Sequence, residues 1–364
     1  MIRFPDSQPA PGLSRRRLLR TGALAAGALT AGALTAGPLV WPRPLHAATG
    51  TPGPFDQAAR DRLIDQARSF PTLHSLILTR GDEVLIDHAL RGPPTDRPVN
   101  VKSLSKTVIA LLVGIAIDRG VLTGTDQRVA DLLGDQMPAD PDPRLDRLTI
   151  GHLLSMRAGL ERTSGPNYGR WVQSGNWVRF ALARDFVDEP GGRMLYSTGN
   201  THLLSAILTK AARRSTFALA RDWLGDPLDI TIPPWPTDPQ GIYFGGNQML
   251  LSPRAVLAIG QMVRRGGTTA DGRRVVSADW IATSWQPRAT SPYTGDAYGY
   301  GWFTRDVGGM TGHYGWGYGG QMLYVVPDIG LVAVVTSDDD VPSGRTGYVR
   351  DLHGLIGDAV TAIA

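Results

Sequence analysis

The chain has no cysteine in its 364 residues, which excludes disulfide bonds, iron–sulfur clusters, a thiol nucleophile and a cysteine-linked lipid anchor. It has no H-E-x-x-H pair, and its seven histidines are widely separated, which argues against a metalloenzyme. No G-x-S-x-G sequence is present, so the nucleophile elbow of an α/β-hydrolase is missing. We therefore predict neither a metal nor an organic cofactor.

Residues 1–47 are typical of a removable export signal. Ser14-Arg-Arg-Arg-Leu-Leu-Arg20 fits the twin-arginine pattern, and the following stretch, 21–37, is rich in Ala, Gly, Leu and Thr. We expect cleavage near Ala47 or Ala48, a linker over 48–54, and a periplasmic or secreted mature protein. An uncleaved membrane anchor is disfavoured because the apolar stretch is only marginally long enough for a bilayer.

The excess of basic over acidic residues in the full chain comes from this leader. Six of the 37 basic residues and one of the 33 acidic residues lie in the first 47 positions, so 31 basic and 32 acidic residues remain. A nearly neutral mature protein offers no basic face for nucleic acid. We predict a small-molecule substrate, no nucleic-acid partner and no stable membrane insertion after cleavage, and the sequence leaves the oligomeric state open.

Strand patterns lie at the two ends of the mature chain, and helical patterns fill its middle. The segment 76–90 predicts a hairpin turning at Arg80-Gly81-Asp82, and 321–327 and 330–336 predict two further strands. These patterns indicate an α+β fold in which an antiparallel sheet from both ends carries flanking helices and an inserted helical region. The predicted domain spans 55–364, with an α/β part at about 55–105 and 245–364 and a helical part at about 106–244.

The most informative motif is Ser103-Leu-Ser-Lys106, which opens an apolar helical run ending at Ile117. A spacing of three residues on a helix places a hydroxyl beside an amine. A lysine can take the proton of a serine only if burial or nearby positive charge keeps it neutral, because its ordinary pKa is about 10.4. Ser103 and Lys106 are therefore a candidate nucleophile and base, although a plain helix N-terminus would look the same.

Two further segments could supply the rest of an acyl-transfer site. Tyr196, in a turn that leads into a helix, could carry a proton to the leaving group. The glycine-rich segment 313–321 could let the backbone of an edge strand approach a substrate carbonyl and donate an N–H to its oxygen. Taken alone, Tyr196 is more typical of an aromatic core residue, and the glycine-rich segment is equally compatible with a hairpin loop.

Together these motifs resemble the serine β-lactamase and penicillin-binding-protein superfamily, whose signature includes S-x-x-K. Four landmarks follow one another in the order of its class C-like branch: Ser103–Lys106, the helix signal 152–160, Tyr196 and the glycine-rich strand before Pro327. Within that branch, Leu-Leu-Ser-Met-Arg-Ala-Gly, Tyr-Ser-Thr-Gly-Asn and Gly-Tyr-Gly-Gly-Gln look most like the 6-aminohexanoate-dimer hydrolases and esterases. The resemblance covers nearly all of 55–364.

The resemblance implies a role for each motif residue. Ser103 would be acylated, Lys106 would accept its proton, and Tyr196 would assist and later activate water. The Ser103 N–H would be one oxyanion donor. The second would be the Tyr318 N–H if Gly315-Trp316-Gly317 is the third motif, or the Trp316 N–H if the motif is His313-Tyr314-Gly315.

The chain departs from the class C pattern at two places. Thr198 stands where the Y-x-N motif has asparagine, with Asn200 two residues too late to replace it, and the lysine of the K-T-G motif is missing. Both changes remove groups expected to hold a β-lactam or a peptide carboxylate. The favoured function is therefore an exported serine hydrolase of small esters or amides. A class C-like β-lactamase or D-Ala-D-Ala carboxypeptidase is the alternative, and a non-catalytic binding protein is the second alternative.

Residues near the motifs are candidates for contact with the substrate. They are Tyr168, Trp171, Thr198, Asn200 and His313.

Overall fold

The computed structural model describes residues 55–343 and 346–364. The predicted export signal at 1–47 and the linker at 48–54 lie outside these residues. No helix in the described ranges combines the length and apolar character needed to cross a bilayer.

Ten strands occur in the described residues, and eight of them form one antiparallel sheet in the order β2-β1-β10-β9-β8-β7-β6-β5. The remaining two, β3 and β4, pair with each other. The N-terminal hairpin thus joins the C-terminal strands through β1 and β10, which confirms the predicted sheet built from both ends. The strands are β1 (Leu73–Arg80), β2 (Glu83–Ala89), β3 (Val99–Asn100), β4 (Leu250–Leu251), β5 (Ala289–Thr290), β6 (Ala297–Tyr298), β7 (Phe303–Val307), β8 (Met310–Gly317), β9 (Gln321–Val326) and β10 (Leu331–Ser337).

Helices flank this sheet and fill the stretch of chain between β3 and β4. The α-helices of the described residues are α1 (Gln57–Ser69), α2 (Ser105–Asp118), α3 (Val129–Leu133), α4 (Ile150–Leu154), α5 (Tyr168–Val172), α6 (Trp177–Leu182), α7 (Thr198–Ala212), α8 (Thr216–Ala220), α9 (Asp226–Leu228), α10 (Pro253–Arg264), α11 (Ala278–Trp285) and α12 (Tyr348–Ile363).

Strand β10 shows that both faces of the sheet are covered. Val332 and Val334 belong to the apolar core that includes α2 and α10, whereas Leu331, Ala333 and Val335 belong to the core that includes α1 and α12. Successive side chains of a strand point to opposite faces, so a strand with two covered faces must be apolar throughout. This explains why the first five residues of β10, 331–335, are all apolar.

Helix α2 lies within the first of these cores. All of its residues from Ser105 to Ala116 are buried, as expected of a helix that is apolar on every side. A lysine near the start of this helix must therefore be buried as well. The fold itself thus provides the desolvation that the sequence analysis required for Lys106.

Candidate active site

Ser103 lies in a 3-10 turn, Lys102–Leu104, immediately before α2. Lys102 has a φ of 47°, in the left-handed region that residues other than glycine rarely adopt. Its N–H donates to Asn100 Oδ1 at 2.9 Å, and its ammonium pairs with Asp339 at 2.9 Å. The helix proper therefore starts two residues after Ser103, because a strained backbone residue, held from both sides, precedes the serine.

The amine of Lys106 contacts three other groups of the site, and the residue is only 2% exposed. Its Nζ lies 2.8 Å from Ser103 Oγ, 3.2 Å from Thr198 Oγ1 and 2.6 Å from the Gly246 carbonyl oxygen. All three partners are neutral, and burial lowers the pKa of the lysine from 10.5 to about 7. A substantial fraction of these amines is neutral at pH 7, and a neutral amine can accept the Ser103 proton.

Tyr196 lies beside this pair. Lys106 Nζ is 5.0 Å from the centroid of the Tyr196 ring. Burial raises the pKa of the phenol above its usual 10, and a hydrogen bond with Ser103 offsets part of that rise. The phenol is therefore protonated at neutral pH and can deliver a proton. The structure brings together the hydroxyl of Ser103, the amine of Lys106 and the phenol of Tyr196.

Thr198 is also part of this group. It is the first residue of α7, and its hydroxyl contacts Lys106 in place of an amide. Ser164 holds it there: its Oγ accepts from the Thr198 N–H at 2.9 Å and lies 3.1 Å from Thr198 Oγ1. The sequence analysis missed Ser164, and no local pattern around it could have revealed a contact across 34 positions of chain.

The Gly245-Gly246 pair passes directly over Lys106, and it was also missed. A Cβ on Gly246 would lie 2.1 Å from Thr201 Oγ1 and 2.8 Å from Lys106 Cγ, and its φ of 85° is in the left-handed region. Only glycine allows the backbone to approach closely enough for its carbonyl to bind the lysine. The sequence feature that could have revealed this loop is the pair of glycines directly after two aromatic residues.

A fully buried histidine–aspartate pair supports that glycine loop. His202 Nδ1 accepts from the Gly245 N–H at 3.3 Å, and His202 Nε2 lies 3.0 Å from Asp238 Oδ2. Because Nδ1 is an acceptor, the ring proton resides on Nε2 and is donated to Asp238. The pair therefore fixes the loop whose carbonyl binds Lys106.

The glycine-rich end of β8 packs against the turn that carries the serine. A Cβ on Gly317 would lie 2.4 Å from the Val101 carbonyl oxygen and 3.2 Å from the Leu104 nitrogen, which flank Ser103. A Cβ on Gly315 would lie 2.4 Å from Leu104 Cδ1 and 2.5 Å from Thr107 Oγ1, which is one helical turn further along. The glycines are thus needed so that the backbone of β8 can lie against the serine turn.

Strand β8 differs from the expected edge strand. It pairs with β9 on one side, and with β7 on the other as far as Tyr314. Beyond Tyr314 the partner strand has ended, so only the last residues of β8 have an edge without a neighbouring strand. The short length of β7, five residues, is the reason that an interior strand has an exposed end here.

The backbone N–H groups of Ser103 and Tyr318 have no acceptor among the loop and side-chain hydrogen bonds of the described residues. Tyr318 directly follows Gly317 in the turn between β8 and β9, and it is 43% exposed. A backbone N–H group without an acceptor in the protein donates to water or to a ligand. Together they could bind a carbonyl oxygen in the manner of an oxyanion hole.

Of the remaining predicted residues, Tyr168 lies beside the glycine loop and Trp171 lies in the core. Tyr168 accepts from Asn247 Nδ2 at 3.1 Å, beside the glycine loop. Trp171 is fully buried and donates from Nε1 to the Trp177 carbonyl at 3.0 Å, so it belongs to the core.

Asn200 and His313 contact residues outside the Ser103 group. The Asn200 amide is buried against Met156 Sδ at 4.0 Å. The His313 ring stacks on Trp285 with 3.9 Å between centroids, and burial lowers its pKa to about 4. The structure brings neither residue to the Ser103 group.

A cavity of about 590 Å³ opens beside this group, with Tyr196 and Trp316 in its lining. On the other side of the turn, the carboxylates of Asp338, Asp339 and Asp340 lie within 4.8 Å of one another. Asp339 already pairs with Lys102, and we assign no metal to these residues.

Solved structures with the same fold cover most of the chain. One is a provisionally named beta-lactamase from Bacteroides dorei DSM 17855 (TM-score 0.69, 19% identity, 85% of this chain and 98% of that one). Another is a provisionally named 6-aminohexanoate-dimer hydrolase from Bacillus anthracis (0.66, 16%, 83% and 82%). A third is a D-stereospecific amidohydrolase from a Streptomyces species (0.64, 17%, 82% and 98%).

A family model agrees with this fold. The model described as Beta-lactamase matches residues 60–357, a span that includes the serine turn, the lysine, Tyr196 and the glycine-rich strand. The chain therefore belongs to the beta-lactamase family, most of whose members are serine hydrolases.

Proposed function

We propose that the protein is an exported serine hydrolase that cleaves small esters or amides through an acyl-enzyme. The observation that carries the proposal is the 2.8 Å contact between Lys106 Nζ and Ser103 Oγ, in which the lysine is buried among neutral partners. This environment favours the unprotonated amine that the chemistry needs. The two unpaired N–H groups beside the serine give further support.

Acylation follows from this arrangement. Ser103 Oγ attacks the carbonyl carbon, its proton passes to Lys106 Nζ, and the resulting oxyanion accepts hydrogen bonds from the N–H groups of Ser103 and Tyr318. When the bond to the leaving oxygen or nitrogen breaks, that atom takes the phenol proton of Tyr196, and the Lys106 ammonium returns a proton to the phenolate. Gly317, whose backbone lies close to Val101 and Leu104 in the serine turn, favours Tyr318 over Trp316 as the second donor.

Deacylation uses the same groups in reverse. Water attacks the acyl carbon and gives its proton to the Tyr196–Lys106 pair, and Ser103 Oγ regains a proton as the acid is released.

Esters and small amides are favoured over β-lactams for a chemical reason. Thr198 offers a hydroxyl where class C enzymes have an amide, and that hydroxyl is already bound to Lys106 and Ser164. The strand β8 has no lysine at the third motif. Two of the structural neighbours are named for amide hydrolysis, which supports an amide as well as an ester substrate.

Labelling and turnover test the proposal. A fluorophosphonate probe should modify the protein at Ser103, and Ser103→Ala should lose the label. A panel of p-nitrophenyl esters, nitrocefin and the linear 6-aminohexanoate dimer should show ester or amide turnover above nitrocefin turnover. Faster turnover of nitrocefin would favour the β-lactamase alternative, and absence of both label and turnover would favour a binding protein.

Export is a separate part of the proposal, supported by the twin-arginine pattern at 14–20. The full chain, expressed in a host with twin-arginine export, should be recovered outside the cytoplasm with a new N-terminus near Ala48. The double substitution Arg15→Lys with Arg16→Lys should retain it in the cytoplasm at full length. Equal export of both forms would contradict this route.

A further inference from the structure

A neutral amine acts as a base only through its single lone pair. It has two N–H donors and that lone pair, whereas the ammonium has three donors and no acceptor. Lys106 Nζ has three neighbours: Ser103 Oγ at 2.8 Å, Thr198 Oγ1 at 3.2 Å and the Gly246 carbonyl oxygen at 2.6 Å. The amine can therefore accept the Ser103 proton only when its two N–H groups are donated to the other two neighbours.

Of these two neighbours, the Thr198 hydroxyl is the one that can act either way. The Gly246 carbonyl oxygen only accepts, but a hydroxyl has one proton to donate as well as lone pairs that accept. If the Thr198 hydroxyl donates to Lys106 Nζ, it occupies the lone pair, and the amine is no longer a base toward Ser103. The reactivity of Lys106 therefore depends on which atom accepts the proton of the Thr198 hydroxyl.

Ser164 offers the alternative acceptor for that proton. Thr198 is 4% exposed, and within the described residues its Oγ1 has two partners, Lys106 Nζ and, at 3.1 Å, Ser164 Oγ. The Thr198 N–H also donates to Ser164 Oγ, at 2.9 Å, and this bond holds the two side chains together. Ser164 is only half-buried, so water can accept the proton of its own hydroxyl. Its oxygen is then free to accept from Thr198.

We propose that Ser164 is a positioning residue for the lysine base. It accepts the proton of the Thr198 hydroxyl, so Thr198 accepts from Lys106, and the lone pair of the neutral amine is left for Ser103. The hydrogen bonds then run in one direction, from Ser103 through Lys106 and Thr198 to Ser164. This inference rests on the proposed hydrolase function and adds to it a residue that acts only through the base.

The same direction of hydrogen bonds fits the protonated lysine. The ammonium donates to all three neighbours, so Thr198 must accept from it and must donate its own proton to Ser164. Without Ser164, that proton has no acceptor among the described residues while the lysine is protonated. Loss of Ser164 therefore favours a neutral amine whose lone pair is occupied by the Thr198 hydroxyl. Such an amine loses its proton at lower pH and is nevertheless a poorer base.

Kinetics of three variants test the proposal. In Ser164→Ala, the plateau of kcat/KM on p-nitrophenyl butyrate well above pH 7 should fall about tenfold, because the productive arrangement leaves a buried donor without an acceptor. The rising limb of the pH profile should move to lower pH. Ser164→Thr retains the hydroxyl and should keep both plateau and limb. Ser75→Ala is the matched control, because it removes a buried serine hydroxyl that lies 2.5 Å from Thr336 Oγ1 in the sheet, and it should also keep both.

The direction of the pH shift separates positioning from a merely structural role. A loosened site would admit water to Lys106 and relieve its desolvation, so the pKa of the lysine would rise toward its ordinary value and the limb would move to higher pH. An unchanged plateau in Ser164→Ala, or a limb that moves to higher pH, would overturn the proposal.

A second background sharpens the test. Thr198→Asn places beside Lys106 an amide, whose oxygen accepts and has no proton to give. Ser164 then has no hydroxyl proton to accept, so Ser164→Ala in the Thr198→Asn background should cost less than about twofold in kcat/KM. The same tenfold loss in both backgrounds would show that Ser164 does not act through the Thr198 hydroxyl.

Lysine NMR measures the effect without turnover. The chain has three lysines, Lys102, Lys106 and Lys210, so a pH titration of protein labelled with isotopic lysine follows the Lys106 amine directly. Its pKa should be lower in Ser164→Ala than in the unaltered protein, and unchanged in Ser164→Thr and Ser75→Ala. If the unaltered protein hydrolyses no ester but these shifts are found, the proposed function fails and the positioning of the amine stands. Turnover without the shift overturns the positioning alone.

Discussion

The serine site and the neighbouring cavity differ in whether their buried polar groups are hydrogen-bonded. Around Lys106 the amine, the Thr198 hydroxyl and the Ser164 hydroxyl are all bound to one another or to the backbone. Among the residues that line the cavity, Trp316 and His353 each have a buried ring nitrogen without a partner within the described residues. The difference indicates that the polar groups around Lys106 are held in place by the fold itself.

The two regions also differ in what holds them. The serine site depends on backbone contacts that only glycine permits, at Gly246 and Gly317. The cavity is walled by stacked aromatic rings from β7 and β8. Substitutions in the first region should therefore affect turnover of every substrate.

The largest effect is expected for Ser103→Ala. Removal of the nucleophile leaves no route to the acyl-enzyme, so kcat/KM on p-nitrophenyl butyrate should fall about a thousandfold or more. Circular dichroism should show an unchanged fold. Ser69→Ala, an exposed serine at the end of α1, is the control and should retain activity. Comparable losses in both variants would contradict a special role for Ser103.

The pH profile tests the state of Lys106. Burial lowers the pKa of this lysine to about 7, so the amine is protonated and inactive as a base below that pH and neutral above it. We expect kcat/KM to rise with pH through about 7 and then level off. Lys106→Met should lower activity by about a hundredfold or more and remove this rise. A profile that stays flat well below pH 6 would show that a neutral lysine is not the base.

Gly317→Ala should impair the serine site through sterics alone. The added Cβ would lie 2.4 Å from the Val101 carbonyl oxygen and must push β8 away from the serine turn. We expect kcat to fall about tenfold to a hundredfold, a loss comparable to that of one oxyanion donor. Gly354→Ala is the control, because a Cβ there meets nothing within 4 Å and lies in α12. A variant Gly317→Ala of full activity would place the second donor elsewhere.

A smaller effect is expected for Asp238→Asn. The substitution weakens the support of His202 for the glycine loop, so the Gly246 carbonyl binds Lys106 less well. This carbonyl stabilises the ammonium form, so its partial loss should lower the pKa of the lysine and shift the rising limb of the pH profile to lower pH. We expect kcat to fall about tenfold with KM unchanged. An unshifted profile with a lower melting temperature would indicate a structural role only.

Local patterns in the sequence were sufficient for much of this molecule. The strands predicted at 321–327 and 330–336 correspond to β9 and β10, with bounds that differ by one residue. The hairpin predicted at 76–90 corresponds to β1 and β2, which turn between Arg80 and Glu83. Such patterns succeed because the periodicity of apolar residues and the turn residues act within a few positions of chain. The edge position of β8 could not be read in this way, because it depends on where β7 stops.

The spacing of Ser103 and Lys106 was enough to predict that the hydroxyl and the amine lie side by side, since both belong to one turn of backbone, and their atoms are 2.8 Å apart. Their partners were decided by the packing of distant segments. Gly246 and Ser164 lie 140 and 34 positions from the residues that they contact, and no short-range pattern encodes such a contact. The unpartnered ring nitrogens of Trp316 and His353 are visible only in three dimensions, because a missing hydrogen bond is a property of the surroundings and not of the residue.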